Sequence, residues 1–236
     1  GGSHSAANQQ FRREISDPFR HTPSMAPVPA AQANRPPPTL PVVETFHSLQ
    51  GEGYHCGRSA FFIRLAGCTV GCPWCDTKHS WPVDHHPPME VTALAEAATE
   101  ACRNGAAFTV VTGGEPLHHA LTPLTQALAA SGRPLHLETS GVDPLSGDFD
   151  WITLSPKRHR PPQTELLHRC HELKVVIHDA EDLSFAESMA AETQAEVLLL
   201  QPGWDSPEGQ RLAVEHARCN PHWRLGLQTH KWLGVR

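Results

Sequence analysis

Residues 59–77 read SAFFIRLAGCTVGCPWCDT, and the fold turns on how this stretch is divided. Its first seven residues are apolar except for Ser59 and Arg64, the composition of a strand covered on both faces. The remainder sets Cys68, Cys72 and Cys75 three and two residues apart, beside Gly67 and Gly71. A strand that runs straight into three thiols makes those thiols a strand-end feature.

The same handover recurs along the chain. Apolar runs at Ala60–Leu65, Phe108–Thr112, Leu135–Glu138, Trp151–Leu154, Leu173–Ile177, Val197–Leu200 and Leu225–Gln228 read as strands. Helical patterns occupy 91–105, 119–132, 179–194 and 206–220; the first two end in glycine, and Asp179 and Ser206 are placed to cap the others. Residues 140–150 are too few for a full crossover helix, so at least one connection is abbreviated. Alternating strands and helices predict an α/β fold with a mostly parallel sheet, open or curled into a partial barrel. Functional residues then belong at the C-terminal strand ends. There the sequence places the cysteine loop, TGGEP, ETSG, SPK, QPGW and QTHKW.

Bulk properties bound the rest. Residues 1–40 are Pro- and Ala-rich with no apolar period, opening on what reads as part of an expression remnant, and are expected to form a flexible leader to a domain at 41–236 whose fold begins near Val42. A net charge of −6 argues against a broad nucleic-acid footprint. No run approaches the roughly 18 apolar residues of a spanning helix, and no signal peptide opens the sequence. Seven cysteines, three of them clustered, fit a reduced cytoplasmic protein better than a disulfide scaffold.

Three local thiols are one short of a closed structural zinc site. Cys56, Cys102, Cys170 and Cys219 read as small buried or incidental residues rather than a fourth ligand. Three cysteines on a four-iron cluster leave one iron open to an outside ligand. The rival is a zinc-binding module completed by Cys56 or a histidine, which leaves GGEP, ETSG and SPK unexplained.

CxxxCxxC after a first strand resembles the radical S-adenosylmethionine (SAM) superfamily, with Trp74 at its usual aromatic position and Gly113–Pro116 as its second motif. The longer run ETFHSLQGEGYHCGRSAFFIRLAGC followed by CPWCDTKHSW is similar to the 7-carboxy-7-deazaguanine synthase family, and the likeness extends over residues 42–236. A glycyl-radical activating enzyme, which shares the cysteine loop, lacks LQGEG and CDT.

The resemblance implies an abbreviated TIM-like β/α barrel with helices missing or shortened, acting as a carbon–nitrogen lyase. The reaction it implies is a radical ring contraction of 6-carboxy-5,6,7,8-tetrahydropterin to 7-carboxy-7-deazaguanine, with loss of ammonia, in queuosine and deazapurine biosynthesis. SAM is used catalytically as the source of a 5′-deoxyadenosyl radical. Cys68, Cys72 and Cys75 would hold a [4Fe–4S] cluster and Thr77 a Mg²⁺ ion. Trp74, Cys75, Asp76, Gly114, Ser155, Lys157 and Gln201 would surround SAM. Leu49, Gln50, Gly51, Arg64, Thr112, Glu138 and His230 would meet the pterin, Arg64 as a fork to its carboxylate, with the Glu52 carboxylate nearby. Implied partners are a one-electron reductant such as flavodoxin or ferredoxin and a second copy in a homodimer, with neither nucleic acid nor membrane.

Overall fold

The structure, a computed structural model, describes residues 36–236. Nine strands form one sheet: β1 (Thr39–Leu49), β2 (Ser59–Leu65), β3 (Pro88–Glu90), β4 (Phe108–Gly113), β5 (Leu135–Thr139), β6 (Trp151–Leu154), β7 (Glu172–Ile177), β8 (Val197–Pro202) and β9 (Trp223–Leu225). Six helices accompany them: α1 (Val91–Arg103), α2 (Thr122–Leu128), α3 (Thr164–Arg169), α4 (Ala180–Glu192), α5 (Pro207–Cys219) and α6 (Thr229–Leu233). The sheet order is β3-β1-β2-β4-β5-β6-β7-β8-β9. From β2 to β9 every neighbour is parallel; β1 is antiparallel to both β2 and β3. The sheet stays open between β3 and β9, which makes the expected partial barrel.

Strand alternation sorts the side chains. One face carries Ile63, Leu65, Val111, Leu137, Leu154, Leu173 and Ile177, each almost wholly buried against the helices. The opposite face carries Phe62, Phe108 and Val110, then increasingly polar groups: His136, Glu138, Thr153, Glu172, Lys174 and Gln201. A concave face that buries charge needs partners for it, and so is where chemistry is to be sought.

The connections are uneven, as the short 140–150 segment predicts. α1, α4 and α5 span 13 residues each, whereas α2 has seven and α3 six. No helix joins β5 to β6. Asp179 caps α4 through a reciprocal capping box with Asp182, and the Ser206 hydroxyl accepts from Gly209 N at the start of α5.

Two expectations need correction. β1 begins at Thr39, so the last two residues assigned to the leader belong to the sheet; residues 1–35 lie outside the described region. Pro41 and the half-polar alternation of TLPVVETFHSL hide this strand, which pairs through a bulge near Val42–Glu44. The final strand is Trp223–Leu225 rather than Leu225–Gln228. Buried Trp223 anchors it, Gly226 N makes one more bond to Leu200 O, and the chain then leaves the sheet so that Thr229 N can reach Gly51 O at 2.9 Å.

Candidate active site

All seventeen residues singled out as site candidates line one cavity of about 300 Å³ at the C-terminal ends of the parallel strands. It has a thiol end and a charged floor.

The thiol end is the loop after β2. Gly67 N and Cys68 N donate to Ser80 O and Trp81 O, tying the loop to the segment beyond it. Between the first two cysteines every polar backbone group of Thr69 is held. Its N–H donates to His118 Nε2 at 3.2 Å and its carbonyl accepts from Arg160 at 2.6 Å. Since His118 Nε2 is the acceptor, its proton sits on Nδ1, which faces Asp143. His159 Nε2 meets Val70 O at 3.1 Å. Cys68 and Cys75 pack against Val70, Cys72 and Val142, and burial pushes the Cys68 and Cys72 thiols above the usual range. Cys56, Cys102, Cys170 and Cys219 lie away from the cavity.

Facing the thiols is the end of β4, where two glycines do what no other residue can. A Cβ on Gly113 (φ +139°) would lie 2.1 Å from Leu65 O, and one on Gly114 would lie 2.4 Å from Gly67 O and 2.8 Å from Cys68 Cβ. The next residue, Glu115, is buried and bonds across to the end of β5. It accepts from Leu117 N, Thr139 Oγ1, Ser140 N and Ser140 Oγ. GGEP thus locks the β4 end to the ETSG segment, a role that sequence reading did not give Glu115. Gly114→Ala is expected to displace the cysteine loop at a cost of about 1–3 kcal/mol. Iron bound per chain after reconstitution should fall well below the parent's; full iron content at unchanged Tm would contradict this.

The charged floor is built from the loop after β1 and from β5 and β7. Gln50 Nε2 donates to Glu138 Oε1 at 2.8 Å. The Lys174 ammonium, 5% exposed, pairs with Glu52, whose other oxygen accepts from Gln228 Nε2 at 2.8 Å. Burial alone would raise the Glu52 carboxyl, but the Lys174 charge and these hydrogen bonds hold it at about 2. Burial likewise works against the Lys174 cation, and Glu52, Glu138 and Glu172 together overcome it and raise its pKa. His230 on α6 covers Gly51. Lys174 and Gln228 were missed in the sequence; the signal for Lys174 was a lysine on the inward register of an otherwise apolar strand.

The remaining candidates fill the walls. Lys157 Nζ donates to Ser155 Oγ at 2.8 Å, and loss of solvation lowers its pKa, opposed by Cys72. Arg64 is engaged at Nε by Glu44 at 3.1 Å and stacks over Phe46, so only its terminal nitrogens face a ligand. Asp76 pairs with Lys231 at 2.6 Å, which joins the cysteine loop to α6. The Thr77 hydroxyl lies 3.5 Å from Cys75 Sγ.

The donor set suits a cluster better than a single metal ion. Among the described residues, no three His, Cys, Asp or Glu side chains converge as ligands of one ion do; a four-iron cluster takes each thiolate on a separate iron. A family model described as the Radical SAM superfamily matches residues 62–157, from β2 to the lysine of SPK, and the class is accordingly that of radical SAM enzymes, which carry a [4Fe–4S] cluster and use SAM. Relatives narrow it further. The 7-carboxy-7-deazaguanine synthase of Prochlorococcus marinus is 52% identical, over 83% of this chain and 98% of that one; that of Escherichia coli is 34% identical over the same shares. The crystal structure of QueE from Escherichia coli superposes with a TM-score of 0.72 at 33% identity, covering 81% of this chain and 95% of that one. The chain belongs to the 7-carboxy-7-deazaguanine synthase family.

Proposed function

We propose that this chain converts 6-carboxy-5,6,7,8-tetrahydropterin to 7-carboxy-7-deazaguanine with release of ammonia, as a carbon–nitrogen lyase of deazapurine biosynthesis. The observation that carries the reading is the polarity of this cavity. Three thiols close one end, and a carboxylate–ammonium–amide floor suited to a flat heterocycle closes the other.

When bound, the cluster and SAM supply a hydrogen-abstracting radical at the thiol end. The chain's own part is orientation. Glu138, already aligned by Gln50, presents a carboxylate to the guanidine-like edge of the pterin, and the terminal nitrogens of Arg64 receive its carboxylate. Glu52 and Lys174 neutralise each other beneath the ring and hold the floor rigid, since each is fixed by a partner from another element. Ser155, Lys157 and Gln201, at the ends of β6 and β8, and the backbone at Gly114, at the end of β4, would hold SAM. Asp76–Lys231 and the contact of His230 with Gly51 hold α6 beside the cavity.

Thr77 is proposed as the protein ligand of Mg²⁺, with substrate oxygens and water completing a shell that the ion seldom takes from protein alone. A one-electron reductant such as flavodoxin or ferredoxin is expected to serve the cluster in the cytoplasm. A homodimer is supported by Leu225 and Leu227, exposed at and just beyond the open β9 edge. Among the described residues no helix is long and apolar enough to cross a membrane.

Anaerobic protein reconstituted with iron and sulfide, then given SAM, dithionite, Mg²⁺ and the tetrahydropterin, should yield 7-carboxy-7-deazaguanine and ammonia by mass spectrometry, with SAM not consumed stoichiometrically. Formation of 5′-deoxyadenosine with the pterin untouched would leave the class and overturn the substrate.

A further inference from the structure

The large cavity shares Gln50, Glu52, Glu138 and Lys174 with a second, much smaller void of about 10 Å³. His55, Trp151 and Glu172 also line that void, and each carries a shielded polar atom with no hydrogen-bond partner: His55 Nε2, Trp151 Nε1 and Glu172 Oε1. Orphaned buried groups are rare in folded proteins, and three around one void call for a common ligand.

Their chemistry restricts what it is. Trp151 Nε1–H only donates, so the ligand must accept. The Glu172 carboxylate oxygen accepts, so the ligand must also donate. His55 Nδ1 accepts from Arg58 Nη1 at 2.7 Å, so its Nε2 carries the proton and is a second donor that the ligand must accept from. The void is about the smallest that accommodates one water. An ammonium ion is of similar size and is released by the proposed reaction. It has four donors and no acceptor, however, and leaves the indole N–H unmet. A metal cation fails for the same reason.

We propose that this void holds a single water molecule, which accepts from Trp151 and His55 and donates to Glu172, and that through it these three act as positioning residues for the substrate floor. The link to the floor is direct. The second oxygen of Glu172 accepts from Tyr54 N at 2.8 Å. A Cβ on Gly53 (φ +72°) would lie 2.3 Å from Glu172 Oε1, so the carboxylate is seated against the loop that presents Gln50 and Glu52. Trp151 stacks on Tyr54 and meets His55 edge-on, with ring centroids 5.3 and 4.5 Å apart. The water completes a plug whose other side is the pterin floor; its occupancy stands apart from the proposed reaction, and only its effect on turnover rests on that reading.

The test is an anaerobic crystal structure of the cluster-loaded enzyme at a resolution that shows ordered water, from crystals grown without ammonium and soaked with it. A peak at about 2.7–3.2 Å from all three atoms, the same in both, is expected. An empty void, or a peak that appears only with ammonium, overturns the assignment. Trp151→Phe keeps the stacking and removes the donor. It should lose the peak, weaken hydrogen-exchange protection of the Tyr54 amide, and raise KM for the pterin several-fold with the EPR spectrum of the SAM-bound cluster unaltered. Glu172→Gln has one oxygen where the carboxylate has two, one for Tyr54 N and one for the water, and should lose either the peak or the Tyr54 protection; both kept would overturn the assignment. In Trp151→Phe, loss of the water with Tyr54 protection unmoved would overturn the positioning role, whatever the substrate proves to be.

Discussion

Alanine at Cys68, Cys72 or Cys75 is expected to abolish turnover and to leave the protein without its iron–sulfur absorbance, whereas Cys102→Ala retains both. The three thiols close one end of the cavity from a loop whose backbone is already fixed by Arg160, His159 and His118. Removing one sulfur therefore leaves a rigid gap that the other two cannot close by moving. Cys102 sits on α1, half-buried against the helix-side core and away from the cavity. Its loss removes one sulfur atom from a packed surface, a change of about 1 kcal/mol at most for a partly exposed site. Iron and sulfide per chain, read with product formation, separate the two outcomes. Turnover in any of the three cavity variants would sink the cluster assignment.

That contrast is legible in the sequence, and the reason is physical. A parallel strand covered on both faces has to be nearly continuous in apolar residues, so β2, β4, β5, β6, β7 and β8 stand out, and each ends where a polar segment begins. The loops at those ends carry the residues that meet at the cavity. What stayed hidden is what depends on partners distant in sequence. β1 makes sense only beside β2 and β3, and α3 is too short to show a period. The buttressing of the cysteine loop by His118 and Asp143 joins three separate segments. Glu172 and Lys174 look like interruptions of the run ELKVVI until the fold brings Glu52, 122 residues from Lys174, into contact. Arg64 shows the opposite limit: its place in the cavity was foreseen, but not that Glu44 already holds one edge of its guanidinium.

Lys174→Met should be among the most damaging single substitutions outside the cysteines. Lys174 is the ammonium set among Glu52, Glu138 and Glu172 on the substrate floor. Methionine fills a similar volume but leaves those carboxylates buried without their cation, and breaking a buried pair on one side costs about 3–5 kcal/mol. For a domain of this size that lowers Tm by roughly 6–20 °C. Turnover should fall as well, because Glu52 and Glu138 lose the charge that orders them beneath the substrate. The pH dependence gives the sharper test. In the parent, Glu52 is held at about 2 against an ordinary 4.5, so its contribution is full at neutral pH and is lost as pH falls from about 4.5 towards 2. In the variant the largest influence holding Glu52 down is gone, and burial, opposed only by the Gln228 hydrogen bond and His230, pushes Glu52 upward, so protonation relieves the fold rather than weakening it. The stability gap in urea should therefore be widest near neutral pH and narrow as the solution is acidified. Adding Glu52→Gln to Lys174→Met should recover part of the loss at neutral pH, since it removes a stranded charge and keeps an acceptor for Gln228. A gap independent of pH, or a double variant no more stable than the single one, would mean that Lys174 serves packing rather than charge.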